Sequence, residues 1–183
     1  GASGSAYMFQ RSGNSWQQEV KLHASDPEME AFFGAAVDLG ETLAVIGAWG
    51  GDTYGTDAGR VYVFSLTPGG WIELKKLTLD PTNAPGAKFG TTVCTNGTAI
   101  LAGAPTSGRS GGSALFRWMN DEWILTHPLI PIGQPGDEWG HSLALSSQFA
   151  CLGSPNSDIY KQDGGALMLY QSVGDRWMVR PEP

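Results

Sequence analysis

Two stretches of the chain hold the residues best suited to chemistry. Trp49, Asp52, Tyr54 and Asp57 fall within nine positions of one another, and Asn156, Asp158, Tyr160 and Asp163 within eight. An aromatic ring beside carboxylates or amides can stack on a sugar face while the polar groups bond its hydroxyls. The same set can anchor a protein partner through a large amphipathic ring with a polar rim. These eight residues are the candidate ligand-binding set. Acids in loops are usually just solvated, so no metal and no cofactor is expected there.

Other motifs carry less. Gly108-Arg109-Ser110-Gly111-Gly112 fits the spelling of a nucleophile elbow, but that device needs a strand-to-helix turn with His and acid partners. Here a strand pattern follows, so Ser110 reads as a turn residue. His23, His127 and His141 are scattered, whereas zinc needs three or four ligands held together. No catalytic residue emerges, and a non-enzymatic role is expected. Asn96-Gly97-Thr98 has the spelling of an N-glycosylation site, and Asn-Gly is also the commonest two-residue hairpin signal, predicting a type I′ turn. Cys94 and Cys151 are expected as free, buried thiols, since free cysteine behaves as a small hydrophobe.

Composition sets the frame. The chain has 183 residues, 41% hydrophobic and 16% charged, with a net charge of −7. That is a globular composition, and its sign disfavours nucleic acid and anionic membranes as partners. No apolar run approaches the roughly 20 residues of a membrane-spanning helix. The 26 glycines follow no collagen period and point to many tight turns.

The elements that must position these residues repeat. Four short apolar runs occur in order: Phe33–Val37, Thr42–Ala48, Gly59–Phe64 and Trp71–Leu77. Each has strand length, β-branched and aromatic content, and Gly, Pro, Asn or Asp at its ends. The aromatic-Gly opening recurs as Phe89-Gly90 and Trp139-Gly140, and Gly47-Ala48 as Gly103-Ala104-Pro105 and Gly153-Ser154-Pro155, in both cases at steps of 56 and 50. Glycines opening the third run (Gly4, Gly59, Gly111, Gly165) and tryptophans of the fourth (Trp16, Trp71, Trp123, Trp177) both step by 55, 52 and 54. Identical spacing of two landmarks means that whole units were duplicated. The predicted organisation is a half unit over 1–24, then full units over about 32–79, 88–130 and 138–183, making fourteen strands and no helix. The expected core contains Val37, Val45, Val63, Val93, Leu101, Leu143 and Leu152, with Phe64, Phe116 and Tyr170. The recurring tryptophans, one per unit, are expected as packing residues and not as ligand platforms.

Phe-Gly, a strand ending Gly-Ala-Pro, then Gly-Ser-Ala-Tyr-x-Phe, then Trp and Lys-Leu resembles the FG-GAP repeat family, which includes the propeller of integrin α subunits. Phe89-Gly90 with Gly103-Ala104-Pro105 and Gly4-Ser5-Ala6-Tyr7-Met8-Phe9 carry the match best. The resemblance implies an all-β fold, a β-propeller of four-stranded antiparallel blades of which about three and a half are present. In integrin-type repeats an acidic calcium loop joins the first two strands. Here that link is Asp38-Leu39-Gly40-Glu41, Thr95-Asn96-Gly97-Thr98 or Leu145-Ser146-Ser147-Gln148, too poor in oxygens for calcium.

Fourteen strands would be half of a seven-bladed ring. The expectation is that the remainder of a longer chain, or a second chain, completes it and covers the open edge of the half unit. The expected function is a protein-binding module for adhesion or assembly, extracellular or at the cell surface, acting through loops on one face. The alternative is a carbohydrate-binding propeller lectin.

Overall fold

The computed structural model describes residues 3–80, 85–159, 161–162, 164–174 and 176–180. Among them are fourteen strands and no helix. The half unit is β1 (Ala6–Ser12) and β2 (Ser15–Leu22). The second unit is β3 (Ala36–Leu39), β4 (Leu43–Ala48), β5 (Arg60–Thr67) and β6 (Gly70–Leu77). The third is β7 (Val93–Thr95), β8 (Ala99–Ala104), β9 (Gly112–Met119) and β10 (Glu122–Leu129). The fourth is β11 (Ser142–Leu145), β12 (Phe149–Ser154), β13 (Ala166–Val173) and β14 (Arg176–Val179). Each full unit is a four-stranded antiparallel meander in chain order, and the half unit is a two-stranded sheet.

Side chains alternate across a strand, and here both faces of the second and third units' sheets are buried by neighbouring sheets. In β5, Val61 and Val63 pack with Ile100, Ala102 and Phe116 of the third unit, while Tyr62 and Phe64 join Leu22 at the end of β2 and Ala24 just after it. The third unit divides its residues the same way: Ile100 faces the second unit, Leu101 and Leu115 face the fourth. Each unit therefore has an upstream face, toward lower numbers, and a downstream face. Burial of a large aliphatic or aromatic side chain stabilises by roughly 1.5–3 kcal/mol, so these seams between sheets are the main cohesion of the fold.

The repeated glycines are explained at the seams. The aromatic residue opening one unit bridges the glycine that opens the third strand of the preceding unit: Gly4 with Phe33, Gly59 with Phe89 and Gly111 with Trp139. A Cβ on Gly59 would lie 2.1 Å from the Phe89 carbonyl oxygen, and one on Gly47 would lie 1.9 Å from that of Gly90. Only glycine admits so close an approach of two backbones. Along the inner edge, β3 packs beside β7 and β7 beside β11. The Thr95 amide donates to Asp38 (2.7 Å), and the Asn96 side-chain nitrogen donates to the Ser146 carbonyl (3.0 Å).

Three expectations need correction. Phe33-Gly34 opens the unit but not the strand: Gly34 has φ 94°, the Ala35 amide turns back to the Phe32 carbonyl (3.0 Å), and β3 begins only at Ala36. The Asn96-Gly97 hairpin is not type I′. Gly97 has φ 89°, but Asn96 and Thr98 are not in the left-handed region. Asn96 instead takes the first turn position, where its side-chain oxygen accepts from the Thr98 (3.1 Å) and Ala99 (2.9 Å) amides. Finally, Val37 is 60% exposed, whereas Val45, Val63, Leu101, Leu152, Phe64, Phe116 and Tyr170 are buried. Its equivalents Val93 and Leu143 are half-buried against the preceding unit. Val37 differs because the half unit before it has no inner strands to cover it.

Candidate binding surfaces

Local sequence explains the second-unit loop. The link 49–58 is held by the strap between the half unit and the second unit: the Gly50 amide donates to the Ala31 carbonyl (3.2 Å) and the Asp52 amide to Glu28 (3.1 Å). On its other side, Gly86 and Lys88 amides donate to the Thr56 and Asp57 carbonyls (2.8 and 2.9 Å). Trp49 stacks on Phe32 with centroids 4.5 Å apart and an interplanar angle of 10°. The Lys88 ammonium stands 5.1 Å from the Trp49 ring centre, a cation–π arrangement. One indole face is thus already taken.

Asp52 is exposed, and its carboxylate accepts from the Asp57 amide (2.8 Å), so it shapes the loop. Tyr54 is exposed beside it. In the fourth unit Asn156 and Asp158 are exposed, whereas Tyr160 and Asp163 lie outside the described residues. The second-unit loop is held by residues of the strap and of 86–88. Asn96, the glycosylation candidate, is exposed but has its amide engaged by Ser146. Ser110 is buried, and its hydroxyl donates to the Pro131 carbonyl (3.5 Å). Cys94 and Cys151 are free and half-buried; burial, and then the Asp38 charge, push the Cys94 thiol up to about 12. Among the described residues, no three His, Cys, Asp or Glu side chains are grouped to hold a metal ion.

Sequence reasoning missed the polar cluster beneath the loop. Arg60 is 3% exposed and pairs with Glu28 and with Asp26 (3.0 Å). The Tyr62 hydroxyl donates to Asp26 (2.9 Å), and Lys76 pairs with the same carboxylate (2.8 Å). Burial acts to raise the Asp26 carboxyl, but hydrogen bonds from Lys76 and Tyr62, with the Lys76 and Arg60 charges, outweigh it and hold it below the usual range. Burial likewise opposes the Arg60 charge, and Tyr62, Glu28 and Asp26 more than restore it. Burial first, then the bond to Asp26, raise the Tyr62 phenol. Gly51 makes room, since a Cβ there would meet the guanidinium at 2.5 Å. A signal was present: the equivalent third-strand positions hold Ser5, Gly112 and Ala166, so the arginine is alone among the repeats.

A second surface lies at the open end. Tyr7, Phe9 and Trp16 are the half-unit equivalents of Tyr62, Phe64 and Trp71. Tyr7 is 47% exposed against 1% for Tyr62, and Trp16 is 67% exposed against 6% for Trp123 and 8% for Trp177. Trp71, Trp123 and Trp177 face the preceding unit, and among the described residues no unit stands before Trp16. The fourth unit shows the converse at its downstream face: Leu167 is 62% exposed, whereas its equivalent Val61 is fully buried. Between β1 and β3 runs a groove of about 570 Å³, lined by Tyr7, Met8, Val37, Leu39, Ala44 and Ile46 among others. It occupies the place of the half unit's inner strands.

Comparison with curated proteins finds no match to the chain. Residues 16–64, from the tryptophan of β2 to the phenylalanine of β5, match the family model of the FG-GAP repeat. The matched stretch crosses the first seam, pairing the outer strand of one sheet with the Phe-Gly and inner strands of the next, and the chain accordingly carries an FG-GAP repeat.

Proposed function

We propose that the chain is an arc of a β-propeller with FG-GAP blades, and that it serves as a non-enzymatic protein-binding module in adhesion or assembly. One observation carries this reading: side chains buried at every internal seam are exposed at the two ends of the array. Tyr7, Phe9 and Trp16 at one end and Leu167 at the other leave exposed apolar surface of the kind that marks an interaction site. We place the module outside the cell or at its surface, in keeping with the family. Sedimentation velocity across a concentration series tests the reading. The chain should associate as concentration rises, and Trp16→Glu should abolish that association. A wild-type chain that stays monomeric up to its solubility limit would count against it.

A carbohydrate-binding role has one observation in its favour, the exposed Tyr54 beside Asp52 in the loop that stacks Trp49 on Phe32. Glycan-array binding lost in Trp49→Ala and Tyr54→Ala would support it, and absence of binding to any glycan would remove it.

A further inference from the structure

We infer that the groove between β1 and β3 is a strand-acceptor site. It takes a short extended segment of apolar residues ending in Gly-Ala or Gly-Ser, laid antiparallel on the free edge of β1 and supplied by polypeptide outside these 183 residues. The inference rests on the protein-binding reading above and names the chemistry of its partner.

The three full units show what fills this place. In each, the second strand pairs antiparallel with the third, and its sequence is Leu43–Ala48 (LAVIGA), Ala99–Ala104 (AILAGA) or Phe149–Ser154 (FACLGS). β4 pairs Ala48 to Leu43 with Arg60 to Ser65; the repeat step of 55 carries that ladder onto Ser5 to Gln10. The half unit is built to receive it. Its two strands share the β-bulge of the second and third units: it falls between Met8 and Phe9, as β5 has it between Val63 and Phe64. Among the described residues β1 is paired on one side, by β2. An unpaired edge above an apolar groove is the geometry of recognition by strand addition, in which main-chain bonds give affinity and side-chain pockets give selectivity.

Selectivity has a specific source. The glycine of the second strand lies against the carbonyl of the Phe-Gly glycine in the next unit: a Cβ at Gly47 would be 1.9 Å from the Gly90 oxygen, and one at Gly103 would be 2.1 Å from that of Gly140. The incoming segment meets Gly34 in the same way and needs glycine at that position. A second copy of the chain is a poor donor. Its inner strands are already engaged in their own sheets, and its half unit holds only the two outer strands.

The probe is a synthetic peptide of residues 97–105, GTAILAGAP, carrying two added N-terminal lysines for solubility, titrated calorimetrically into the full chain. One-to-one binding is expected, with amide hydrogen exchange slowed in β1. Gly103→Val in the peptide should weaken it by about tenfold or more, the lower range of overpacking costs. Leu39→Asp in the protein, at a side chain already exposed, should weaken it similarly without unfolding the chain. Equal binding of the valine peptide, or binding untouched by Leu39→Asp, would overturn the inference. So would a self-dimer whose β1 edge is protected and from which the peptide is excluded. If the peptide fails while Trp16→Glu still abolishes association in sedimentation, the acceptor site falls and the protein-binding reading stands; if both fail, both fall.

Discussion

Gly59 and Gly165 open the third strands of the second and fourth units and share a left-handed backbone, with φ of 77° and 71°. They differ in what lies beyond them. A Cβ on Gly59 would meet Phe89 backbone oxygen at 2.1 Å and nitrogen at 2.5 Å, whereas one on Gly165 would find its nearest neighbours, the Pro155 and Ser154 oxygens, at 3.3 Å. Substituting alanine at each separates backbone strain from seam contact. The left-handed conformation costs an L-residue about 1–2 kcal/mol at either site. At Gly59 the seam must also open by roughly 1 Å, and forcing a methyl group into packed structure typically adds about 1–3 kcal/mol. Gly165→Ala should therefore destabilise by about 1–2 kcal/mol and Gly59→Ala by about 2–5 kcal/mol. Urea unfolding followed by tryptophan fluorescence measures both, with the slope checked for loss of cooperativity. Equal destabilisation by the two substitutions would refute the claim that aromatic-Gly to Gly contacts hold successive units together.

The tryptophans offer a parallel comparison: Trp123→Ala should cost about 3–5 kcal/mol, as expected for a buried indole, and Trp16→Ala should cost less than about 1 kcal/mol in the isolated chain. Stability should also fall in acid through Asp26. Its carboxyl is held below its unfolded value, so its contribution is complete above about pH 3.9 and is lost as pH falls through the depressed folded value. Asp26→Asn should flatten that acid limb in pH-dependent unfolding, and an unchanged limb would exclude Asp26 as its source. Cys94, with its thiol pushed up to about 12, should resist alkylation at pH 8 in the folded chain and react at the rate of unfolding. Rapid labelling of native Cys94, located by peptide mass, would contradict its placement on β7.

The strand count was legible because two landmarks in different strands keep the same spacing, which fixes both the unit and its missing half. Burial followed wherever a neighbour exists on both sides, as at Val45, Val63 and Leu101. Val37 failed because periodicity describes one strand, whereas burial of an innermost strand depends on the unit before it. The turn at Asn96 was misassigned because dipeptide preference locates a hairpin without fixing which residue occupies its first position. The Arg60 cluster escaped because its acids, Asp26 and Glu28, lie in the irregular strap outside the strand repeat. The loop residues can be named one by one from the sequence, but the pairing of Trp49 with Phe32 depends on Gly50, where a Cβ would meet the phenylalanine ring at 2.8 Å.

Hydroxyl-radical footprinting of the isolated chain, read residue by residue by mass spectrometry, tests the open seams most directly. Tyr7, Phe9, Trp16 and Leu167 should oxidise as exposed side chains, while Tyr62, Phe64, Trp123 and Trp177 remain protected. Protection of Tyr7, Phe9 and Trp16 equal to that of their buried counterparts in a monomeric sample would contradict the account.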